Sequence, residues 1–270
     1  MMTFRRRLLL AVDAKGYGRA DVVTQRQLQG AIQRILTDAA EASGLERERW
    51  ETQVGGDSVL AVLPEGASEP HLVDTFMRHL DAGLREFNHG RLPGSRLRLR
   101  VAVHFGTASP AANGFEGRAP VEIGRMLDSA ALRSALDAAP EAAMALAVSS
   151  TVFNDVVREA YTTVRAQEFR EVRVAEKEFA GRVWIRVPGY DVRTLDLTPP
   201  ARREGGREDR QEAPSEPVRE TGREAGREAP RGGETSDARP PSAPTAPGDT
   251  VVQVISGTVH AQGAVFGISK

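Results

Sequence analysis

Cysteine is absent from the 270-residue chain, and aromatic residues make up only 5% of it. Without cysteine the chain can form no disulfide, no thiolate metal site and no cysteine nucleophile. The formal net charge is -1, so the overall charge gives no sign of binding to nucleic acid or to an acidic membrane surface. No apolar run is long enough to span a bilayer. These absences predict a soluble, cytoplasmic protein that binds neither nucleic acid nor membranes.

An aliphatic run near the N-terminus ends on an acid and then on two glycines. The run from Leu8 to Val12 is typical of a strand buried on both faces. Asp13 follows at the carboxyl end of this strand, and Gly16 and Gly18 let the backbone turn tightly after it. An acid in this place is a candidate for a functional site.

A second acid lies in a predicted hairpin. Two strand-like segments, Trp50–Val54 and Val59–Leu63, flank a Gly-Gly-Asp turn that contains Asp57. If this hairpin lies beside the first strand, Asp13 and Asp57 converge, and two carboxylates suit a hard divalent cation such as Mg²⁺. The alternative is that Asp57 only forms the turn, because Asp is common in glycine-rich turns.

The rest of the first 190 residues alternates helices and strands, which predicts an α/β sandwich with helices packed on a sheet. Apolar residues at helical spacing predict helices at Ala20–Ser43, Glu69–Asn88, Pro120–Ala139 and Thr151–Ala160, the last with a possible Ser150 cap. Strands are predicted at Arg96–Phe105, Met144–Val148, Val164–Val174 and Arg182–Val187, and a loop at 108–116.

Two groups of polar residues have competing interpretations. The arginines of Arg96–Phe105 could attract phosphate, although the alternating pattern favours a solvated strand face. His71, His79 and His89 have no acid partner in a metal-ligand pattern, which favours a solvated surface over a metal site.

The order of these pieces resembles the class III nucleotidyl cyclase catalytic domain over about residues 6–188. The strand ending in Val-Asp-x-x-Gly-aromatic, the long helix and the Gly-Asp hairpin carry the likeness. Leu97–Gly106 is similar to the family's strand ending in His-x-Gly, and Gly117–Asp128 to its helix bearing Asn-x-x-x-Arg. The resemblance implies a ferredoxin-like α/β sandwich that works as a homodimer on a nucleoside triphosphate.

The resemblance also implies roles for particular residues. Asp13 and Asp57 match the aspartates that hold two Mg²⁺ or Mn²⁺ ions, which clamp the attacking and leaving oxygens of a phosphoryl displacement. Arg125 matches the arginine that steadies the transition state. Lys177 lies near the family's triphosphate-binding lysine, with a solvated hairpin charge as the alternative.

Three positions depart from the family pattern. Gln53 replaces the base-reading lysine, Val121 replaces the transition-state asparagine, and Gly114 stands where a second purine-reading acid is expected. A valine cannot donate a hydrogen bond, and loss of one preorganised donor costs on the order of a hundredfold in rate. Two interpretations follow: a degenerate cyclase-like signalling or sensor module, which the departures favour, and an active divergent cyclase, which the retained acids favour.

The composition changes after the predicted domain. Residues 198–249 contain one large aliphatic residue, Val218, and repeat Gly-Arg-Glu, which predicts a disordered linker. Residues 250–270 are rich in β-branched residues and are uncharged up to the final lysine, a composition suited to cross-β stacking. They resemble bacterial amyloid signalling motifs, related in style to RIP homotypic interaction motifs, which implies self-assembly and recruitment of a protein partner. The alternatives are a stray strand of the domain's sheet and a short disordered end.

Overall fold

The computed structural model describes residues 5–112, 114–176 and 179–198. In this part of the chain there are nine strands: β1 Arg6–Ala14, β2 Glu51–Gly55, β3 Ser58–Val62, β4 Leu99–Thr107, β5 Ser109–Ala111, β6 Gly114–Glu116, β7 Met144–Ser149, β8 Arg170–Glu176 and β9 Phe179–Arg186. Seven of the described strands form one sheet in the order β2-β3-β1-β4-β7-β9-β8, and β5 and β6 form a separate hairpin.

The helices connect these strands over the two faces of the sheet. Their bounds are α1 Val22–Ala42; α2, which runs through the consecutive segments Glu69–His71, Leu72–Phe76 and Met77–Asn88; α3 Arg118–Leu127; α4 Ala130–Ala138; and α5, formed by Ser150–Val152 and Phe153–Val157. The segments Leu72–Phe76 and Phe153–Val157 are π-helical. In the described residues, no helix is long and apolar enough to cross a bilayer.

The predicted α/β sandwich is confirmed. The order β1-α1-β2-β3-α2-β4 is that of a ferredoxin-like βαββαβ unit. The sheet then continues through β7, which pairs parallel to β4, and through the antiparallel strands β9 and β8. Because α3 and α4 connect the parallel pair, they cover the sheet next to the end of β1.

The sheet is packed on both faces, which explains the unbroken apolar run of β1. Leu8, Leu10 and Val12 pack into a cluster with α1, α2 and α5, while Leu9 and Ala11 pack into a second cluster with α3 and α4. All five side chains are buried. Strand alternation therefore places Asp13, two residues after Ala11, on the face covered by α3 and α4.

The predicted helix Pro120–Ala139 is wrong in one respect, because it is two helices. The helical conformation is interrupted at Asp128 and Ser129. The Ser129 hydroxyl accepts a hydrogen bond from the Leu132 N–H at 3.3 Å and so forms the N-cap of α4. The break lets α4 lie against the sheet on its own, next to the start of β4.

Other boundaries also differ from the predictions. The predicted loop at 108–116 contains the hairpin of β5 and β6, and β8 begins at Arg170 because a 3-10 turn at Ala166–Glu168 precedes it. The cap of α5 is Ser149 and not Ser150, since its hydroxyl accepts from the Val152 N–H at 3.4 Å. His71, His79 and His89 are all exposed, which agrees with the solvated interpretation.

Candidate functional site

The end of β1 and the β2–β3 turn bring the two predicted acids to one cavity. Asp13 lies directly opposite Ser58 in the β1–β3 ladder, and the Ala14 N–H donates a hydrogen bond to the Asp57 carbonyl at 3.2 Å. Both residues line a cavity of about 580 Å³, together with the glycine-rich turn after β1. The structure thus brings together Asp13 and Asp57, which are far apart in the sequence.

Arg100 lies in the same cavity and forms an ion pair with Asp13. The two residues are direct cross-strand partners in the β1–β4 ladder, and the Arg100 guanidinium donates to the Asp13 carboxylate. Their side chains are only 13% and 14% exposed. The sequence analysis gave no particular role to Arg100. An acidic and a basic residue that lie opposite each other on neighbouring strands predict an ion pair, but only once the strand register is known.

The arginines at the start of β4 and just before it are half-buried, contrary to the favoured prediction of a solvated strand face. Arg98 donates to the carbonyls of Leu136, Ala139 and Ala142 at 2.5, 2.6 and 2.9 Å. Arg98 therefore holds the carboxyl end of α4, where cations are favourable. The physical reason for the error is that α4, unrecognised as a separate helix, covers this face.

Helix α3 closes one side of the cavity. Gly124, Leu127 and Asp128 line it, and Asp128 is a further acid that sequence reasoning missed. Arg125, in the last turn of α3, is half-buried and is not among the lining residues. Val121, one turn earlier, is 53% exposed. Within one chain the structure therefore does not bring Arg125 and Val121 to the two acids.

The position of α3 is fixed by a buried contact with β4. His104 Nε2 lies 3.0 Å from the Glu122 carboxylate, and Arg118 Nε donates to the other Glu122 oxygen at 2.6 Å. Burial holds the pKa of His104 below its ordinary value, and the Glu122 charge offsets part of this effect. Because Glu122 follows Val121 directly, this contact also fixes the rotation of α3 about its axis, and with it the direction of the Val121 side chain.

The two positions predicted to read a base are neighbours in space. A Cβ added at Gly114 would lie 2.3 Å from Gln53 Oε1, so the Gln53 amide fills the space that a side chain would take. Gly114 also has φ of 117°, which disfavours other residues. Lys177, the predicted triphosphate-binding residue, lies outside the described residues, as do residues 199–249 of the predicted linker and the predicted C-terminal segment 250–270.

Comparisons with solved structures place this geometry among known folds. An adenylate/guanylate cyclase/hydrolase from Silicibacter pomeroyi matches with a TM-score of 0.50 and 18% identity over 70% of this chain and all of that chain, 100%. The described domain has a class III cyclase fold. The guanylate cyclase domain of RhGC from Catenaria anguillulae, in complex with GTP, matches at 0.47 with 12% identity over 67% of this chain and 95% of that chain.

A third structure, the adenylyl cyclase CyaB from P. aeruginosa, matches the cyclase-fold domain at a TM-score of 0.44 with 14% identity over 69% of this chain and 95% of that chain. No protein-family model matches the sequence, and no curated protein matches it. The likeness is therefore one of fold, and the chemistry must be inferred from the residues of this chain.

Two carboxylates at the cavity of the cyclase-fold domain are the residues that would hold a divalent cation. Among the described residues there is no group of three or more His, Cys, Asp or Glu side chains that could hold a metal, but Mg²⁺ is commonly held by one or two carboxylates with water and phosphate oxygens. Asp13 and Asp57 supply such a pair. Arg100 already neutralises Asp13, so a cation must compete with this guanidinium.

The electrostatics of Asp57 differ from those of Asp13. Burial raises the pKa of the Asp57 carboxyl above its ordinary value of 3.8, and a hydrogen bond that the carboxylate accepts from its own backbone N–H offsets part of the effect. A raised pKa indicates that nearby cations and hydrogen bonds do not fully compensate the cost of burying the carboxylate charge. Such carboxylates are common where a ligand or a cation binds.

The raised pKa of Asp57 predicts how stability changes with pH. The folded state holds the proton more tightly, so the contribution of Asp57 is favourable in acid and is lost as pH rises through the folded pKa. We expect Asp57→Asn to raise the thermal midpoint at neutral pH by roughly 1 °C, with the gain shrinking as pH falls toward 3.8. Calorimetry across pH measures this. A lower midpoint at neutral pH would identify Asp57 as a structural turn residue instead.

Proposed function

We propose that the domain binds a nucleoside triphosphate with a divalent cation and acts as a signalling module of the cyclase fold, with little or no cyclase activity. The observation that carries the proposal is the cavity in which Asp57 and the Asp13–Arg100 pair meet. It offers carboxylates for a cation and a guanidinium for phosphate oxygens, side by side.

The cavity suits a nucleotide in size and charge. Its volume of about 580 Å³ is within the range of small-molecule sites. Arg19 and Arg100 line it as cations, and Asp13 and Asp57 line it as anions. A bound Mg²⁺ or Mn²⁺ would polarise phosphate oxygens there. We propose that Lys177 adds a further contact to the phosphates.

Weak catalysis is expected because the positions of the transition-state donor and of base recognition lack the side chains that the cyclase pattern has there. Val121 cannot donate a hydrogen bond to the transition state, a loss that costs on the order of a hundredfold in rate. Gln53 packs against Gly114, so base recognition would depend on a single amide. Since Arg125 does not line the cavity of its own chain, we propose that a homodimer supplies it from the second copy.

An active cyclase is the second candidate, and the convergence of Asp13 and Asp57 favours it. In this reaction the ribose 3′-oxygen attacks the α-phosphorus, the bond to the bridging oxygen of the β-phosphate breaks, pyrophosphate leaves, and the hydroxyl proton passes to solvent or base. Two cations would have to share the two acids for the two-metal form of this mechanism.

We propose that residues 250–270 recruit a protein partner by self-assembly, tethered by the linker 198–249. The low charge and the many β-branched residues of the segment support this role. A synthetic peptide of this segment is expected to form thioflavin-positive fibres. A peptide that stays monomeric at high concentration would refute the assignment.

One experiment separates the two candidate functions of the domain. The purified protein and its Asp57→Asn variant are incubated with Mn²⁺ and either ATP or GTP, and both nucleotide binding and cyclic product are measured. We expect nucleotide binding that the variant weakens, with little or no cyclic product. Efficient product formation that Asp57→Asn abolishes would establish the active cyclase, and absence of nucleotide binding would refute the proposal.

A further inference from the structure

A buried histidine lies between β4 and α3. His104 is two residues after Ala102 on β4, and Ala102 packs into the cluster under α3 and α4, so His104 faces the same helices. Two residues further on, a Cβ added at Gly106 would lie 2.8 Å from Ala119 Cβ and 3.0 Å from His104 Nε2. The imidazole and α3 therefore pack closely, with no room for a further side chain.

The imidazole of His104 is hydrogen-bonded at only one of its two nitrogens. Nε2 lies 3.0 Å from the Glu122 carboxylate, and because a carboxylate accepts, Nε2 carries the hydrogen of the neutral ring. Nδ1 is buried and has no hydrogen-bond partner among the described residues. A second proton would go onto Nδ1 and create a buried donor without an acceptor, which is costly. The packed arrangement therefore fits the neutral imidazole better than the protonated one.

The charged groups that face His104 come from two elements. Helix α3 contributes Glu122 and Arg118, and β1 contributes Arg6. Burial is the main cause that lowers the pKa of His104; the Glu122 charge opposes this effect, and the charges of Arg6 and Arg118 lower the pKa further. The segment of β7 that pairs with β4, Met144–Val148, contains no charged residue. The surroundings as a whole thus disfavour a second proton.

We infer that the His104–Glu122 contact holds α3 on β4 in an acid-sensitive way: when His104 takes up a second proton, α3 is released from β4. In the released state the imidazole reaches water, which satisfies both of its N–H groups. Helix α3 closes one side of the cavity that contains Asp13 and Asp57, through Gly124 and Leu127. Release of α3 therefore opens one wall of that cavity.

The direction of the pH effect follows from the two states of His104. Its pKa in the packed state is lower than the ordinary value of 6.5, so the released state binds the proton more tightly. The packing of α3 is fully favoured above pH 6.5 and weakens as pH falls from there through the lower pKa of the packed state. The raised pKa of Asp57 acts in the opposite sense, so titration of Asp57 cannot cause a loss of packing in acid.

The test is hydrogen exchange of the full chain at about pH 7.5 and at about pH 5, with labelling times scaled to the intrinsic exchange rate at each pH. The protection of α3 is expected to fall about tenfold between the two conditions, while the protection of α1 changes less than about twofold. In His104→Gln the amide keeps a donor toward Glu122 but does not titrate. This variant is expected to lose the pH dependence of α3 protection.

Two further variants keep the imidazole and change the charges beside it. Arg118→Gln removes a cation that disfavours the protonated ring, so the acid loss of protection is expected to shrink to about threefold. Glu122→Gln keeps an acceptor for Nε2 but removes the favourable charge, so the loss is expected to grow to about thirtyfold. Arg85→Gln is the matched control, because Arg85 forms an exposed i,i+4 pair with Asp81 on α2. It is expected to leave the change in α3 protection within about twofold of that of the unmodified protein.

The opposite signs of Arg118→Gln and Glu122→Gln distinguish titration of His104 from a purely structural contact. Equal protection of α3 at the two pH values would overturn the inference, and so would an acid loss that His104→Gln retains. Effects of Arg118→Gln and Glu122→Gln in the same direction would also overturn it. If His104→Gln does not fold, these two variants decide the question, since Arg118 is 85% exposed and both retain the imidazole.

The exchange experiment needs no nucleotide, so it can fail separately from the proposed function. If the domain binds a nucleoside triphosphate, the affinity is expected to fall in acid together with the protection of α3, and this consequence alone rests on the proposed function. Acid loss of α3 protection in a protein that binds no nucleotide would support the acid-sensitive contact and refute the proposed function. Nucleotide binding by a protein whose α3 protection ignores pH would do the reverse.

Discussion

Replacing Val121 by asparagine is expected to raise cyclic nucleotide formation by about a hundredfold. The substitution supplies an amide donor at the position where the cyclase pattern has one. Val121 lies one turn before Arg125 on α3, so in the proposed homodimer the donor would reach the cavity of the second copy. Val121 is 53% exposed, so the fold tolerates a polar side chain there. The measurement is product formation from ATP and from GTP with Mn²⁺, set against the rate or the detection limit of the unmodified protein.

The matched control for this gain is Val23→Asn, an exposed valine in the first turn of α1. It is expected to leave product formation unchanged. A gain from Val121→Asn that Asp57→Asn then removes would place the missing donor at Val121. No gain, in a protein that still binds nucleotide, would show that the loss of activity has another cause, such as the Gln53 and Gly114 positions.

Replacing Arg100 by glutamine is expected to destabilise the domain by about 3 kcal/mol. The substitution leaves the Asp13 carboxylate largely buried without its counter-ion. Because a divalent cation can then occupy the vacated position, Mg²⁺ is expected to recover part of the loss and to stabilise this variant more than the unmodified protein. Urea unfolding with and without Mg²⁺ measures both effects.

Arg182→Gln serves as the control for Arg100→Gln, since it breaks an ion pair whose side chains are 57% and 45% exposed. Its cost is expected to stay below about 1 kcal/mol, with no response to Mg²⁺. An Arg100 variant that unfolds like the unmodified protein, or that gains nothing from Mg²⁺, would show that Arg100 and a cation do not compete for Asp13.

The location of the two acids could be predicted from the sequence because local patterns determine it. The apolar run of β1 requires burial on both faces, and the Gly-Gly-Asp turn fixes the hairpin. Their convergence further required the hairpin to lie beside β1, and β3 does pair with β1. Asp13, at the end of β1, and Asp57, just before β3, therefore lie at the same end of these two antiparallel strands, as expected.

Arg100 could not be predicted as the partner of Asp13, because strand register decides it. A slip of one residue between β1 and β4 would place Arg100 on the opposite face from Asp13. Helix α4 was missed for a different reason: apolar spacing continues across Asp128 and Ser129, and the serine cap is a weaker signal than the periodicity.

The central claim is that Asp13 and Asp57 jointly hold a divalent cation for a nucleotide. The most direct measurement is a crystal structure of the protein with Mn²⁺ and a non-hydrolysable nucleoside triphosphate, with the ion located by its anomalous scattering. The account predicts a Mn²⁺ peak in contact with both carboxylates, with Arg100 moved from Asp13 onto a phosphate oxygen. A nucleotide bound elsewhere, or one bound here with the Asp13–Arg100 pair intact and no Mn²⁺ between the acids, would contradict it.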